Sequence, residues 1–248
     1  MLKHILPLVP GEHRIYVEPF FGGGAVFFGK KVSDVEVIND NLDMVINFYR
    51  VLKTNFPALQ KMISGTLHAE REQIDSKEIL KNPEKYDKVT RAWAFWAQAA
   101  LSFSHMIMGG FAFGKSRCFG GTTANRIKQF TAEYAERLEK TEIFCRNALD
   151  VIKRYDSPET FFYLDPPYAN SDCGHYNKGK DIFWDLLKVL PTLKGKWLLS
   201  SYPSEELDKL RKITNANFKD IHKNLAVNGK NNAGKTKTEC LTWNYDIK

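Results

Sequence analysis

Apolar residues follow two patterns along this chain. Short, nearly unbroken runs of β-branched and aromatic residues occur at Ile15-Tyr-Val-Glu18, Val35-Glu-Val-Ile-Asn39, 142–145, Thr160-Phe-Phe-Tyr-Leu164 and 196–200. Runs of this length and composition predict strands buried on both faces, as in a parallel sheet. Elsewhere the apolar positions recur at helical spacing. Met44, Phe48 and Leu52 share one face of a helix over Asp43–Lys53, and helices are expected at about 148–155, 181–190 and 204–213. Two last segments, about 217–227 and 237–245, flank a Gly/Asn/Lys loop and read as an antiparallel pair. Strand, glycine turn, helix and strand over 15–39 form the opening of an α/β parallel sheet.

The pattern changes in the middle of the chain. Residues 56–105 read as long and helical, with Trp93, Phe95, Trp96, Leu101 and Phe103 loading the last helix as core. Residues 109–122, with five glycines among aromatics and cations, suit a hairpin or ordered loop. A helix resumes at about Ala124–Lys140. The expected organisation is therefore an α/β domain made of 1–55 and 141–248, with a mostly helical insertion over 56–140. There is no repeat of 20 to 50 residues and no low-complexity tract.

Composition narrows the function classes. The chain has 248 residues, 43% of them hydrophobic and 13% aromatic, which excludes disorder over most of its length. Lys and Arg number 36 against 29 Asp and Glu, a net charge of +7, which suits an anionic partner such as nucleic acid. No apolar run is long enough for a transmembrane helix, and the N-terminus lacks the pattern of a signal peptide. The four cysteines are widely spaced with no CxxC pair, so neither a zinc site nor a disulfide scaffold is expected, and the six histidines suggest no metal site. A soluble, cytoplasmic protein with free thiols and no membrane partner is the expectation.

Three segments carry chemistry. Asp165-Pro166-Pro167-Tyr168 directly follows the apolar run at 160–164. In an open α/β sheet, ligands bind beyond the carboxyl ends of the strands, so an acid placed there faces a crevice. The two prolines fix the backbone and remove two N–H donors, leaving carbonyls to accept from a ligand. With the ring of Tyr168, this set suits a planar ligand bearing an exocyclic amino group; the plainer reading is a Pro-Pro turn beside an incidental acid. Glu18-Pro19-Phe20-Phe21-Gly22-Gly23-Gly24 places glycines at a strand-to-helix turn, where a ligand can approach the backbone closely. It is neither a dinucleotide fingerprint, since position 27 is Phe, nor a P-loop, since no Lys-Ser/Thr pair follows. A nucleoside-like ligand without a pyrophosphate fits that pattern. Asp40, between Asn39 and Asn41 at the end of the second strand, can accept from both hydroxyls of a ribose, or can head a helix as its N-cap.

Together these residues resemble the Dam-like (D12 class) DNA N6-adenine methyltransferases. Glu18-Pro-Phe-Phe-Gly-Gly-Gly24 is similar to the family's first S-adenosylmethionine (AdoMet) motif, Asn39-Asp40-Asn41 to its second and Asp165-Pro-Pro-Tyr168 to its catalytic motif, in that branch's order. Gly109-Gly-Phe-Ala-Phe-Gly114 is similar to the recognition hairpin and Thr238–Tyr245 to the terminal strand. The family usually opens with an aromatic residue and Gly-Gly-Lys, and Met1-Leu2-Lys3 stands just downstream of that place. The resemblance implies a Rossmann-like AdoMet-dependent fold with an inserted target-recognition domain. It also implies base flipping and methyl transfer from AdoMet to adenine N6 without a metal. Asp165, Pro166, Pro167 and Tyr168 are then the catalytic residues, and Glu18, Pro19, Phe20, Gly22, Gly24, Asp40, Asn41 and Asp165 hold the cofactor.

The substrate implied is double-stranded DNA, and a restriction–modification member would have a cognate endonuclease as partner. The setting implied is the cytoplasm of a bacterium, with the gene bacterial or phage-encoded and the protein DNA-associated. Lys115, Arg117, Arg126 and Lys128, with no acid between Gly109 and Gln129, are the candidate DNA contacts, a lysine-rich solvated face being the plainer reading. Transfer to cytosine N4, RNA or a glutamine amide, and a DNA-binding protein with impaired AdoMet binding, stay open at this level. A C5-cytosine enzyme is not indicated, because none of the four cysteines follows a proline.

Overall fold

Residues Thr160–Leu164 are all buried, and Tyr16, Val17 and Glu18 beside them are buried too, so these two runs occupy the centre of a sheet. The structure is a computed structural model that describes residues 1–114, 119–167, 179–224 and 236–247. Among the described residues there are seven strands: β1 (Ile15–Glu18), β2 (Val35–Asn39), β3 (Glu142–Phe144), β4 (Thr160–Leu164), β5 (Lys196–Ser201), β6 (Asn217–Asn224) and β7 (Thr236–Trp243). The chain forms two compact units, one of residues 1–39 with 146–248 and the other of residues 40–145.

In the first unit the strand order is β2-β1-β4-β5-β7-β6. Strands β2, β1, β4 and β5 run parallel, with Val17 opposite both Val37 and Phe162. Strand β7 inserts antiparallel between β5 and β6, so the C-terminal pair expected from the sequence completes the sheet. Parallel strands covered on both faces read as near-continuous apolar runs, which is why β4 and β5 are legible in the sequence. Leaving β1 the chain crosses to β2 on one side, and leaving β4 it crosses to β5 on the other. The carboxyl ends of β1 and β4 therefore flank the point where the winding reverses. This is the Rossmann-like α/β arrangement.

The second unit is mostly helical: Asp43–Thr54, Phe56–Ser64, Glu70–Lys81, Lys88–Leu101, Phe119–Gln129 and Glu133–Arg137, with the short β3. It begins at Asp40, ahead of the expected boundary at 56, and takes in the helix that carries Met44, Phe48 and Leu52. The helical stretch expected over 56–105 is three helices. Gly65 ends the first, and Asn82-Pro83 ends the second. Asp87 opens the third by accepting from the N–H groups of Val89 and Thr90 at 2.8 and 3.1 Å. In that third helix the fully buried stripe is alanine, at Ala92, Ala94 and Ala97, with Leu101; Trp93 and Phe95 pack partly buried around it. Phe103 is 50% exposed, beyond the helix end, and is not core.

Candidate active site

A cavity of about 230 Å³ opens at the switch point of the sheet, lined by Glu18, Phe20 to Val26, Tyr163 and Asp165, and by Met1, Leu2 and Ile5 of the N-terminal helix. The convergence follows from register. Val17 and Phe162 are paired, so the residues after them, Glu18 and Tyr163, stand side by side at the strand ends, and Asp165 lies just beyond. Two segments far apart in sequence are thus brought to one crevice by a topology the alternation of elements dictates.

Its two acids differ. Asp165 is exposed, and Pro166 behind it is buried. Glu18 is 2% exposed and accepts a hydrogen bond from the Tyr16 hydroxyl at 2.6 Å. Burial pushes its carboxyl up to about 8; the neighbouring Asp165 charge adds to the rise, while Tyr16, a backbone group of Phe27 and Lys30 oppose it. Tyr163 is buried, with its hydroxyl 3.1 Å from Ser200 Oγ, and burial and then the Asp165 charge hold its phenol well above the usual range. Two acids thus line one cavity, one buried with its carboxyl pushed up and one exposed.

The glycine turn is shaped for close approach. Gly22 and Gly24 have φ of 46° and 62°, in the left-handed region. A Cβ on Gly24 would stand 2.6 Å from the Phe21 ring, whereas at Gly22 and Gly23 it would meet nothing within 4 Å. Gly24 is therefore fixed by packing, and Gly22 and Gly23 leave open space along the cavity wall. The turn is pinned from below: Asn39, fully buried, donates from Nδ2 to the Pro19 carbonyl at 2.9 Å, and Phe21 N–H donates to the Asn39 carbonyl at 2.9 Å. Open backbone, an acidic wall and the apolar Leu2, Phe20 and Val26 are a donor set that fits the amino-acid and sulfonium part of AdoMet.

The other expected residues are not among those lining this cavity. Asp40, the first residue of the second unit, accepts from Leu42 N–H at 3.0 Å, a turn bond ahead of the helix Asp43–Thr54; Leu42 stands at the N-cap of that helix, so Asp40 does not take the N-cap role weighed beside ribose binding. Asn41 is exposed. Tyr168, Lys115 and Arg117 lie outside the described residues. Lys128 is exposed on the helix Phe119–Gln129. Arg126, on the same helix, donates to the carbonyls of Ala99 and Ala100 at 3.0 and 2.9 Å, capping the C-terminus of the helix before the hairpin, with the His105 ring also at 2.9 Å.

The hairpin lies earlier than the glycine content suggests. Phe103 N–H donates to Gly110 O and Ala112 N–H to Leu101 O, so its base is at 101–112, and a helix already begins at Phe119. Two buried glutamines anchor it, Gln73 to Gly109 O at 2.7 Å and Gln98 to Met108 N–H at 3.0 Å.

Sequence reading missed Tyr16, Tyr163 and Lys30. The signal for Tyr16 was present, since residues two apart on a strand share a face.

The family described as D12 class N6 adenine-specific DNA methyltransferase matches residues 1–228. Type II methyltransferase M.CviBI of Paramecium bursaria Chlorella virus NC1A is 26% identical over 208 residues, 80% of this chain and 76% of that one. Type II methyltransferase M.MjaIII of Methanocaldococcus jannaschii is 25% identical over 182 residues, 65% of this chain and 61% of that one. The solved structure of an rRNA methylase from Streptococcus thermophilus aligns over 98% of this chain and 96% of that chain at 12% identity with a TM-score of 0.36. With most of its length matched by that one family, sheet and insertion alike, the chain belongs to the D12 class N6 adenine-specific DNA methyltransferases.

Proposed function

We propose that this DNA methyltransferase transfers a methyl group from AdoMet to the N6 amino group of an adenine flipped out of double-stranded DNA. The observation that carries the reading is the meeting of Glu18 and Asp165 on one cavity at the switch point of the sheet. AdoMet, when bound, supplies a methyl group on a sulfonium. The residues that would hold it are Glu18, facing the ammonium, the open turn at Pro19, Phe20, Gly22 and Gly24, and Asp40 with Asn41 toward the ribose.

The amino nitrogen of adenine is a poor nucleophile because its lone pair is delocalised into the ring. Asp165 and the Pro166 carbonyl accept from its two N–H bonds, which draws the lone pair out of conjugation and orients it for in-line attack. The proton lost from nitrogen after transfer passes to Asp165, whose exposure lets it leave to water. Flipping the base costs a few kcal/mol, and stacking on Tyr168 returns roughly 1–3 kcal/mol. Lys115, Arg117 and Lys128 contact the duplex, while Arg126 holds the helix end beneath the hairpin. A cognate restriction endonuclease fits the type II relatives.

Labelled methyl transfer from AdoMet to duplex DNA, with product nucleosides separated, tests the reading. Label on N6-methyladenine is expected, with Asp165→Ala at least about 10²–10³-fold slower and its unfolding midpoint unchanged. Wild-type rates in that variant, or label on cytosine, would overturn it.

A further inference from the structure

The acid at the back of the cavity is held by a neutral group. Tyr16, buried like Glu18, donates to one carboxyl oxygen at 2.6 Å. Tyr16 is fixed in turn. The Lys30 ammonium sits 4.1 Å from its ring centroid, and Phe161 and Phe27 pack at 5.9 and 6.4 Å. Lys30 is itself held by Glu36 at 2.6 Å and Ser33 Oγ at 2.8 Å. The hydroxyl therefore points at Glu18 from a rigid base, and Glu18 lines the cavity beside a second acid.

We infer that Tyr16 is a positioning residue that presents the Glu18 carboxyl to an ammonium group entering the cavity, and that this entry expels a proton from Glu18 to solvent. The inference rests on the reading of the cavity as the AdoMet site and adds its proton linkage. The step balances: a neutral carboxylic acid and an ammonium ion become a carboxylate–ammonium pair, and one proton goes to water. The groups facing Glu18 are Tyr16 on its own strand, Tyr163 from β4 and Asp165 just after it, a Phe27 backbone group from the helix Ala25–Gly29 and Lys30 at the end of that helix, and Met1 across the cavity. Burial and Asp165 keep the proton on; Tyr16, Phe27 and Lys30 favour its loss, and burial prevails. A bound cation reverses that balance.

Calorimetry of the full chain with AdoMet at pH 6.5, in two buffers of different ionisation enthalpy, counts the protons directly. Close to one should be released, and Kd should fall about tenfold from pH 6 to pH 7. This window lies below the titration of a ligand α-amino group at about 7.7–8.0. Glu18→Gln should release none. Tyr16→Phe, which keeps the ring under Lys30, should raise Kd and KM for AdoMet roughly tenfold, with kcat at saturation little changed. In carboxyl-labelled chain without ligand, Tyr16→Phe should also move the Glu18 titration midpoint upward, which a merely structural tyrosine would not do. Methylthioadenosine, which has no ammonium, should bind without pH dependence and equally to both.

No proton release by the wild-type chain overturns the inference and needs no variant to read. An unmoved Glu18 midpoint in Tyr16→Phe overturns the role given to Tyr16. Failure of AdoMet to bind at any pH sinks the cofactor reading itself, and the inference with it.

Discussion

Two glutamates lie buried on neighbouring strands of this sheet, and they are treated in opposite ways. Glu36 on β2, 4% exposed, is opposite Tyr16 and accepts from Lys30 at 2.6 Å and from Ser33 N–H at 3.1 Å. Glu18 on β1, 2% exposed, is opposite Ile38 and accepts from a tyrosine hydroxyl. The first carboxylate has a full counter-charge in contact and faces packed protein. The second faces a cavity, next to another acid. Burying a charge is costly unless it is paired. A matched buried acid is therefore part of the fold, whereas an unmatched one that lines a cavity is held ready for a cation brought from outside.

The largest expected effect separates the two. Glu36→Gln leaves the Lys30 charge buried without its counter-ion and should cost about 3–5 kcal/mol in urea unfolding. Glu18→Gln should leave stability at neutral pH equal or higher while weakening AdoMet. The pH dependence has a definite sign. The Glu18 carboxyl is raised in the folded state from 4.5 to about 8, so the native chain binds the extra proton between those values. Its contribution is full below 4.5 and is lost as pH rises toward 8, with a slope of at most about 1.4 kcal/mol per pH unit. Glu18→Gln should remove that slope. Equal destabilisation by both substitutions would erase the contrast.

A smaller effect tests whether the cavity wall is set by packing or by the ligand. Gly24→Ala combines a positive φ with a Cβ 2.6 Å from the Phe21 ring and should cost about 2–3 kcal/mol. Gly22→Ala has the strain without the clash, about 1 kcal/mol, yet should impair AdoMet binding, because its Cβ points into open space. Thermal unfolding and cofactor titration of the pair would show the two losses uncoupled. The smallest effect concerns an exposed charge. Lys128→Ala should leave folding unchanged, weaken all DNA duplexes alike, and lower the salt slope of binding by about one. A change in sequence preference would show that it reads bases.

The central strands and the glycine turn were legible in the sequence because buried parallel strands and positive-φ positions each demand a narrow set of residues. Glu18 and Asp165 were assigned to one cofactor through the family resemblance, and their meeting follows from the register of β1 and β4. Less was legible where one pattern serves two environments. The apolar face of Asp43–Thr54 is the same whether it packs on the sheet or on other helices, so its sequence was read with the sheet, whereas the helix falls in the helical unit. An arginine in a cationic run reads as a phosphate contact, yet Arg126 is directed at helix carbonyls across a gap in sequence that no local spacing encodes. The Lys30–Tyr16–Glu18 arrangement joins a helix end to a strand, and only the folded chain brings it together.

Asn39 has a consequence for how such a chain can change over generations. Its amide holds both ends of the excursion between the units, accepting from Arg146 N–H at 2.9 Å and donating to the Arg146 carbonyl at 3.1 Å. The chain leaves the first unit at this residue and returns within one hydrogen bond of it. The closure is made at the end of β2, and its entropic cost rises only logarithmically with the length of what lies between. The position is thus a seam. A segment of different length can be exchanged there, while the strands of the first unit keep their register.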